Sequence, residues 1–164
     1  MSSSPAALAQ LRVDQVGSLL RPPLLKTAFT QFHQGQIADQ ELRKAQDEAV
    51  REVIATQEAH GLPVLTDGEF RRLNFMESFG EVAGMEAWQA QWRHVVDELN
   101  ATRDRASGQI QRGTNPVLHV RQPVSGKLRL GRSRTLDEFQ SAQSTASRPV
   151  KITLINPDRI LGFE

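Results

Sequence analysis

The stretch Leu62-Pro-Val-Leu-Thr-Asp-Gly-Glu-Phe-Arg-Arg72 limits the fold more than any other part of the chain. Val64-Leu65-Thr66 is a short β-prone run after a proline, and Asp67-Gly68 is a strong turn dipeptide because glycine takes a positive φ without a Cβ clash. The run therefore reads as a strand that stops at Asp67. A buried parallel strand ending in carboxylate, glycine and carboxylate presents polar groups at its C-terminal end, where α/β proteins bind ligands. Asp67 and Glu69 are the first candidate site residues. Taken alone, Asp67-Gly68 is only a tight turn with Glu69 at the start of a helix, so what precedes it decides its weight.

Upstream, Arg12-Val13-Asp14-Gln15-Val16-Gly17-Ser18 predicts a short strand broken at Gly17, after a polar, flexible start over residues 1–11. Pro22-Pro23 leads into a helix with Leu25, Phe29 and Phe32 at helical spacing, ended by Gly35. Asp39 is placed to cap a longer helix in which Leu42, Ala45, Ala49 and Val53 form one apolar stripe, while Asp47 and Arg51 stand i, i+4 on the solvated side. Gly61 is its natural stop. The order strand, helices, strand, with a crossover this long, makes the two strands parallel and the fold class α/β.

Downstream, Phe75, Phe79, Trp88 and Trp92 mix with Met76, Met85, Val95 and Val96 at roughly helical spacing and read as core. The polar run 101–115 reads as a loop, and Pro116 to Leu130 as a hairpin, so that 101–134 forms a β excursion from a single domain spanning 1–164. Arg121, Lys127, Arg129, Arg132 and Arg134 gather there without interleaved aromatics, which favours a solvated face over a phosphate tracker. Thr135 caps a helix through Ala142. Val150-Lys-Ile-Thr-Leu154 predicts a further buried strand.

Composition narrows the chemistry. A formal net charge of +1 over 164 residues gives no field that would draw nucleic acid or an anionic membrane. No apolar run approaches membrane-spanning length and the first residues lack a secretory pattern, so a cytoplasmic location is the default expectation. The absence of cysteine excludes disulfides, thiolate nucleophiles and thiolate zinc sites. His33, His60, His94 and His119 are too dispersed to suggest metal-ligand spacing, and no phosphate-binding glycine loop or nucleophile elbow is present. No metal ligand and no catalytic residue is assigned.

Val16-Gly-Ser-Leu-Leu-Arg-Pro22, the break at Gly35-Gln-Ile37, Gln57-Glu-Ala-His-Gly-Leu62 and Thr66-Asp-Gly-Glu-Phe-Arg-Arg72 together resemble the cobalamin-independent methionine synthase family. Glu77-Ser-Phe-Gly80, Gly126-Lys-Leu128 and Pro149-Val-Lys-Ile-Thr153 fit the same ordered pattern. The resemblance implies a (β/α)8 barrel of the TIM type that moves a methyl group from methyltetrahydrofolate to the zinc-bound thiolate of homocysteine. It also implies that Gly17 and Ser18 hold the amino acid's carboxylate while Glu69 holds its ammonium group. Backbone N–H groups and a hydroxyl suit a carboxylate, and a carboxylate suits an ammonium. Asp67 departs from the histidine of some members. Arg71 and Arg72, if they begin a helix, oppose its dipole, which points either to an anionic ligand or to the absence of a helix.

A complete barrel takes about 250 residues, and the family's zinc ligands, which include two cysteines, belong to a later region. The expectation is therefore the first three or so β/α units of a barrel. Such a chain carries the half-site for a homocysteine-like molecule, holds no cofactor itself, and either self-associates or pairs with a complementing chain. Two alternatives stand beside it: an alkyl or thiol transferase of the epoxyalkane:coenzyme M type, in which a sulfonate grip replaces the amino-acid grip, and a non-catalytic remnant or assembly partner.

Overall fold

The computed structural model describes residues 15–72, 77–78, 82–86 and 124–156. The elements in chain order are α1 (Pro23–His33), α2 (Asp39–Ala59), β1 (Leu65–Thr66), β2 (Val82–Ala83), β3 (Arg129–Leu130), α3 (Arg134–Thr145) and β4 (Val150–Lys151). The chain divides into two compact units, one made of residues 1–77 and 134–154 and the other of 78–133 and 155–164. The second unit thus starts well before the excursion expected at 101–134.

In the first unit β1 and β4 pair in parallel, with Leu65 opposite Val150 and Thr66 opposite Lys151. The α/β class follows the sequence expectation, but the parallel pair is β1 with β4 rather than β1 with the segment that precedes the helices. The strands are shorter than expected, however, and the described residues close no barrel. The predicted first strand is not one either: residues 15–18 form no ladder, and Arg12 to Asp14 lie outside the described residues. The segment nevertheless runs beside β1. Gln15 donates its side-chain amide to the Val64 carbonyl at 3.1 Å, Thr66 Oγ1 donates to the Gly17 carbonyl at 3.1 Å, and Leu19 N–H reaches the Gly68 carbonyl at 3.1 Å.

A buried glutamine explains how β1 does without a strand on that side. The Gln57 side chain, on the last turn of α2, donates Nε2 to the Thr66 carbonyl at 2.8 Å and accepts Thr66 N–H on Oε1 at 3.0 Å. One side-chain amide thereby satisfies both backbone groups that a neighbouring strand would have taken, and buried backbone groups left unpaired are costly.

The helices form much as their sequences dictate. Pro23 opens α1, where a missing N–H is harmless, and Leu25, Ala28 and Phe29 are buried along one face. In α2, Asp39 is the first helical residue rather than the cap. Ala38 holds the cap position, and its N–H is taken by Glu41 Oε2 at 2.9 Å. The buried stripe is Leu42, Gln46, Ala49, Val50, Ile54 and Gln57, with Ala45 and Val53 half-buried at its margin. It is therefore rotated from the expected stripe, and two glutamines lie within it. Asp47 and Arg51 both lie on the solvated side as expected, Arg51 pairing with Glu48 at 2.5 Å and Asp47 with Arg71 at 2.6 Å.

Leu25, Phe29, Leu42, Val50, Ile54, Leu65, Phe70 and Val150 join in one apolar cluster, and each such side chain is worth about 1.5–3 kcal/mol when fully buried. In α3 the pattern inverts. Glu138 and Ala142 are buried, while Leu136 and Phe139 are partly exposed, and the helix runs past the expected Ala142 to Thr145. The reason lies in the ion pair that Glu138 makes, described below.

The second unit contains the antiparallel pair β2–β3, with Val82 opposite Leu130 and Ala83 opposite Arg129. Strand β3 falls within the hairpin region expected from the sequence. Met85 is buried there, as its place in the predicted core requires. The other predicted core residues, Phe75, Met76, Phe79, Trp88, Trp92, Val95 and Val96, lie outside the described residues, as do residues 101–123. Among the described residues no helix is long and apolar enough to cross a membrane.

Candidate functional site

Strand β1 ends at Thr66, and the chain reverses through Asp67-Gly68-Glu69-Phe70. Gly68 and Glu69 both have positive φ, +69° and +57°, and Phe70 N–H returns toward the Asp67 carbonyl at 3.4 Å. Two successive positive-φ residues are characteristic of a type I′ turn, for which the second is usually glycine, asparagine or aspartate. Glutamate here costs about 1–3 kcal/mol of backbone strain and persists because the surroundings over-determine it. Asp67 Oδ1 accepts Glu69 N–H at 3.0 Å, and Thr66 Oγ1 accepts Gly68 N–H at 3.3 Å. Gly68 lies over the Phe70 ring, so that a Cβ there would stand 2.8 Å from Cε1.

Burial at this turn is unusual for its composition. Asp67 is 1% exposed and Glu69 7%. Burial pushes the Asp67 carboxyl above the usual carboxylate range. The Glu69 N–H hydrogen bond and the charges of Arg72 and Arg71 oppose that rise, while the charge of Glu138 adds to it. Among the described residues Asp67 Oδ2 meets no hydrogen-bond partner. Glu69 Oε1 accepts the Thr153 hydroxyl.

Arg72 forms the base of the site. It is 1% exposed, donates Nε and Nη2 to Glu138 Oε2 at 2.8 and 2.6 Å, and donates Nη1 to the Thr153 carbonyl at 2.9 Å. Burial works against its charge, but the hydrogen bond and charge of Glu138, with Asp67 and Glu69, outweigh that and hold its pKa above the ordinary arginine value. Arg71 bridges Asp47 on α2 at 2.6 Å and Ser141 on α3 at 2.8 Å. Neither arginine belongs to a helix. Both guanidinium groups face carboxylates of this chain. Arg21 completes the frame, with Nη2 donating to the Arg72 carbonyl at 2.6 Å and the Glu69 carbonyl at 3.3 Å.

Gly17 is buried against this cluster and Ser18 beside it is exposed. A Cβ on Gly17 would collide with the Thr153 side chain, with Oγ1 at 3.0 Å and Cβ at 3.3 Å. The structure thus brings Gly17, Glu69 and Arg72 around Thr153, with Asp67 joined to them through the Glu69 N–H, and leaves Ser18 exposed. Thr153, Glu138 and Arg21 were not singled out in the sequence. The visible signal for Glu138 was an acidic residue between Leu136 and Phe139, which amphipathic spacing alone assigns to solvent.

The match to the protein-family model described as "Cobalamin-independent synthase, Catalytic domain" runs over residues 13–162. The chain belongs to this family. Among relatives, it is 32% identical over 146 residues to the methionine synthase of Sulfurisphaera tokodaii, covering 87% of this chain and 37% of the relative. It is 28% identical over 155 residues to a 5-methyltetrahydropteroyltriglutamate–homocysteine methyltransferase of Syntrophotalea carbinolica, covering 94% of this chain and 18% of that one. To the uncharacterized protein YxjG of Bacillus subtilis it is 34% identical over 111 residues, 65% of this chain and 29% of the relative. The chain therefore spans well under half the length of these relatives. The zinc implied by the cobalamin-independent synthase family does not fit the residues present: the sequence has no cysteine, and among the described residues no group of His, Asp and Glu can hold a metal ion.

Proposed function

We propose that the β1 turn and the Gly17-Ser18 segment form the amino-acid grip of a methionine-synthase-type methyltransferase, with homocysteine as methyl acceptor and a methylated folate as donor. The observation that carries this reading is Glu69. A carboxylate placed at the end of a parallel strand, in a backbone conformation that glutamate rarely takes, indicates a site that requires this side chain more than it requires an easy turn. Its role is to receive the ammonium group, while the exposed Ser18 hydroxyl and nearby backbone N–H groups receive the carboxylate. Arg71 and Arg72 hold the turn rather than the substrate, and Asp67 supports Glu69 through its N–H. The parallel β1–β4 pair flanked by helices is, in the same reading, one portion of a TIM-type barrel wall.

The coenzyme M alternative is less favoured for a specific reason: a sulfonate brought beside the buried Glu69 carboxylate sets like charges together, whereas an ammonium neutralises it. Isothermal titration of the purified chain with L-homocysteine, and with coenzyme M as competitor, tests this. Glu69→Ala is expected to weaken homocysteine binding by about 2–5 kcal/mol, as for stranding a buried charged partner. Ser18→Ala is expected to lose about 0.5–1.5 kcal/mol, one neutral donor among several. Unchanged affinity in Glu69→Ala removes the residue from the site.

A further inference from the structure

We infer that Thr153 is the positioning residue that joins the two halves of this grip, an inference that rests on the amino-acid reading above. Thr153 lies two residues past the end of β4, and its backbone is pinned because its carbonyl accepts Arg72 Nη1 at 2.9 Å. Arg72 is in turn fixed by Glu138, in a pair whose side chains are 1% and 2% exposed. The side chain then divides its two branches. Its hydroxyl donates to Glu69 Oε1, and its methyl group occupies the space that glycine leaves at position 17. Any other residue at position 17 would displace the methyl and, with it, the hydroxyl.

Two consequences follow for ligand recognition. With Oε1 held by the threonine hydroxyl, the Glu69 carboxylate is fixed in rotation and Oε2 is the oxygen turned to an incoming ammonium. The backbone at Gly17, whose N–H groups the carboxylate end of the ligand uses, is set at a distance from Glu69 that the width of one threonine side chain determines. The spacing between the two grips, and hence preference for an α-amino acid over a longer amino acid or a simple amine, is built into the contact of Gly17, Thr153 and Glu69. Pre-organised groups of this kind improve binding by removing the cost of ordering them.

The test separates hydroxyl from methyl. Thr153→Val keeps the bulk and removes the donor, and is expected to raise the Kd for L-homocysteine about tenfold, equivalent to about 1.4 kcal/mol. Thr153→Ser keeps the donor and is expected to restore affinity to within about twofold of the parent chain. Thr153→Ala carries the same expected loss as Thr153→Val and replaces it should that variant not fold. Gly17→Ala is expected to lower the melting temperature and the affinity together, and the double variant Gly17→Ala with Thr153→Ser to recover part of both, because serine lacks the colliding methyl.

Homocysteine binding in Thr153→Val and Thr153→Ala as tight as in the parent overturns the inference while leaving the amino-acid reading intact. Failure of the parent chain itself to bind homocysteine, with the melting-temperature rescue still present, overturns the amino-acid reading and reduces Thr153 to a packing residue. The two failures are distinct in the data.

Discussion

Asp39 with Arg43 on the outer face of α2, and Arg72 with Glu138 beneath the β1 turn, are both guanidinium–carboxylate pairs at 2.6 Å. Distance does not distinguish them. The first pair is 59% and 60% exposed, and the second 1% and 2%. In water the first exchanges one set of hydrogen bonds for another and contributes little. The second has given up its hydration, so neither partner tolerates the loss of the other, even though an apolar replacement of both is often no less stable. A helix face that only needs solubility thus uses ions that can be dispensed with. The strand end, which places Glu69, Thr153 and Gly17, uses ions that cannot be removed singly.

The largest expected effect is accordingly on the buried pair. Arg72→Ala or Glu138→Ala should destabilise the chain by about 3–5 kcal/mol in urea denaturation, because each strands a buried charge. The double replacement Arg72→Met with Glu138→Leu should recover most of that loss. It should still impair homocysteine binding, since the Thr153 carbonyl would lose its donor. A loss near 1 kcal/mol for Arg72→Ala alone would break the comparison and place the pair with the surface ones.

The same contrast explains what was legible in the sequence. Local rules recovered α1 and α2, the stop at Gly61, strand β1 and its turn, because each depends on residues within a few positions of one another. The ordered motifs around Gly17, Thr66 to Arg72 and Pro149 to Thr153 identified the family. What stayed hidden depends on partners far apart in the chain. Glu138 is 66 residues from Arg72, and Thr153 is 84 from Glu69. Gln57 pairs both backbone groups of Thr66 through its side-chain amide, a role that helical spacing does not specify. Asp47 likewise takes a distant partner, Arg71, which its place on the solvated face of α2 does not specify. The positive φ of Glu69 was equally hidden, since glutamate carries no composition signal for it.

A smaller effect tests the buried acid at the turn, Asp67. Burial raises the Asp67 pKa, so the folded chain keeps that proton over a pH range, starting near about 3.9, in which the unfolded chain has lost it. Folding is therefore weakened as pH rises through that range, up to the raised folded value, and is flat above it. Asp67→Asn retains an oxygen to accept Glu69 N–H and removes the charge. It should be more stable than the parent at pH 7, with the advantage shrinking as pH falls toward about 4, followed by urea denaturation at each pH. A variant less stable than the parent at both ends would mean that the turn needs the carboxylate and not merely an acceptor oxygen.

The smallest effect lies on the outer face of α2, and its asymmetry is informative. Asp39 is the first helical residue, so its charge lies in the favourable field of the helix N-terminus as well as beside Arg43. Asp39→Ala should therefore lose about 0.5–1 kcal/mol, while Arg43→Ala, which gives up only the pair, should lose about 0.3–0.5 kcal/mol. A double-mutant cycle in thermal denaturation isolates the pair term. That term should vanish in 1 M salt, where the screening length is about 3 Å. The Arg72–Glu138 coupling, out of reach of counter-ions, should persist in the same salt. If both couplings fall together on adding salt, the buried pair is open to solvent, and the polar base beneath Glu69 is looser than its burial implies.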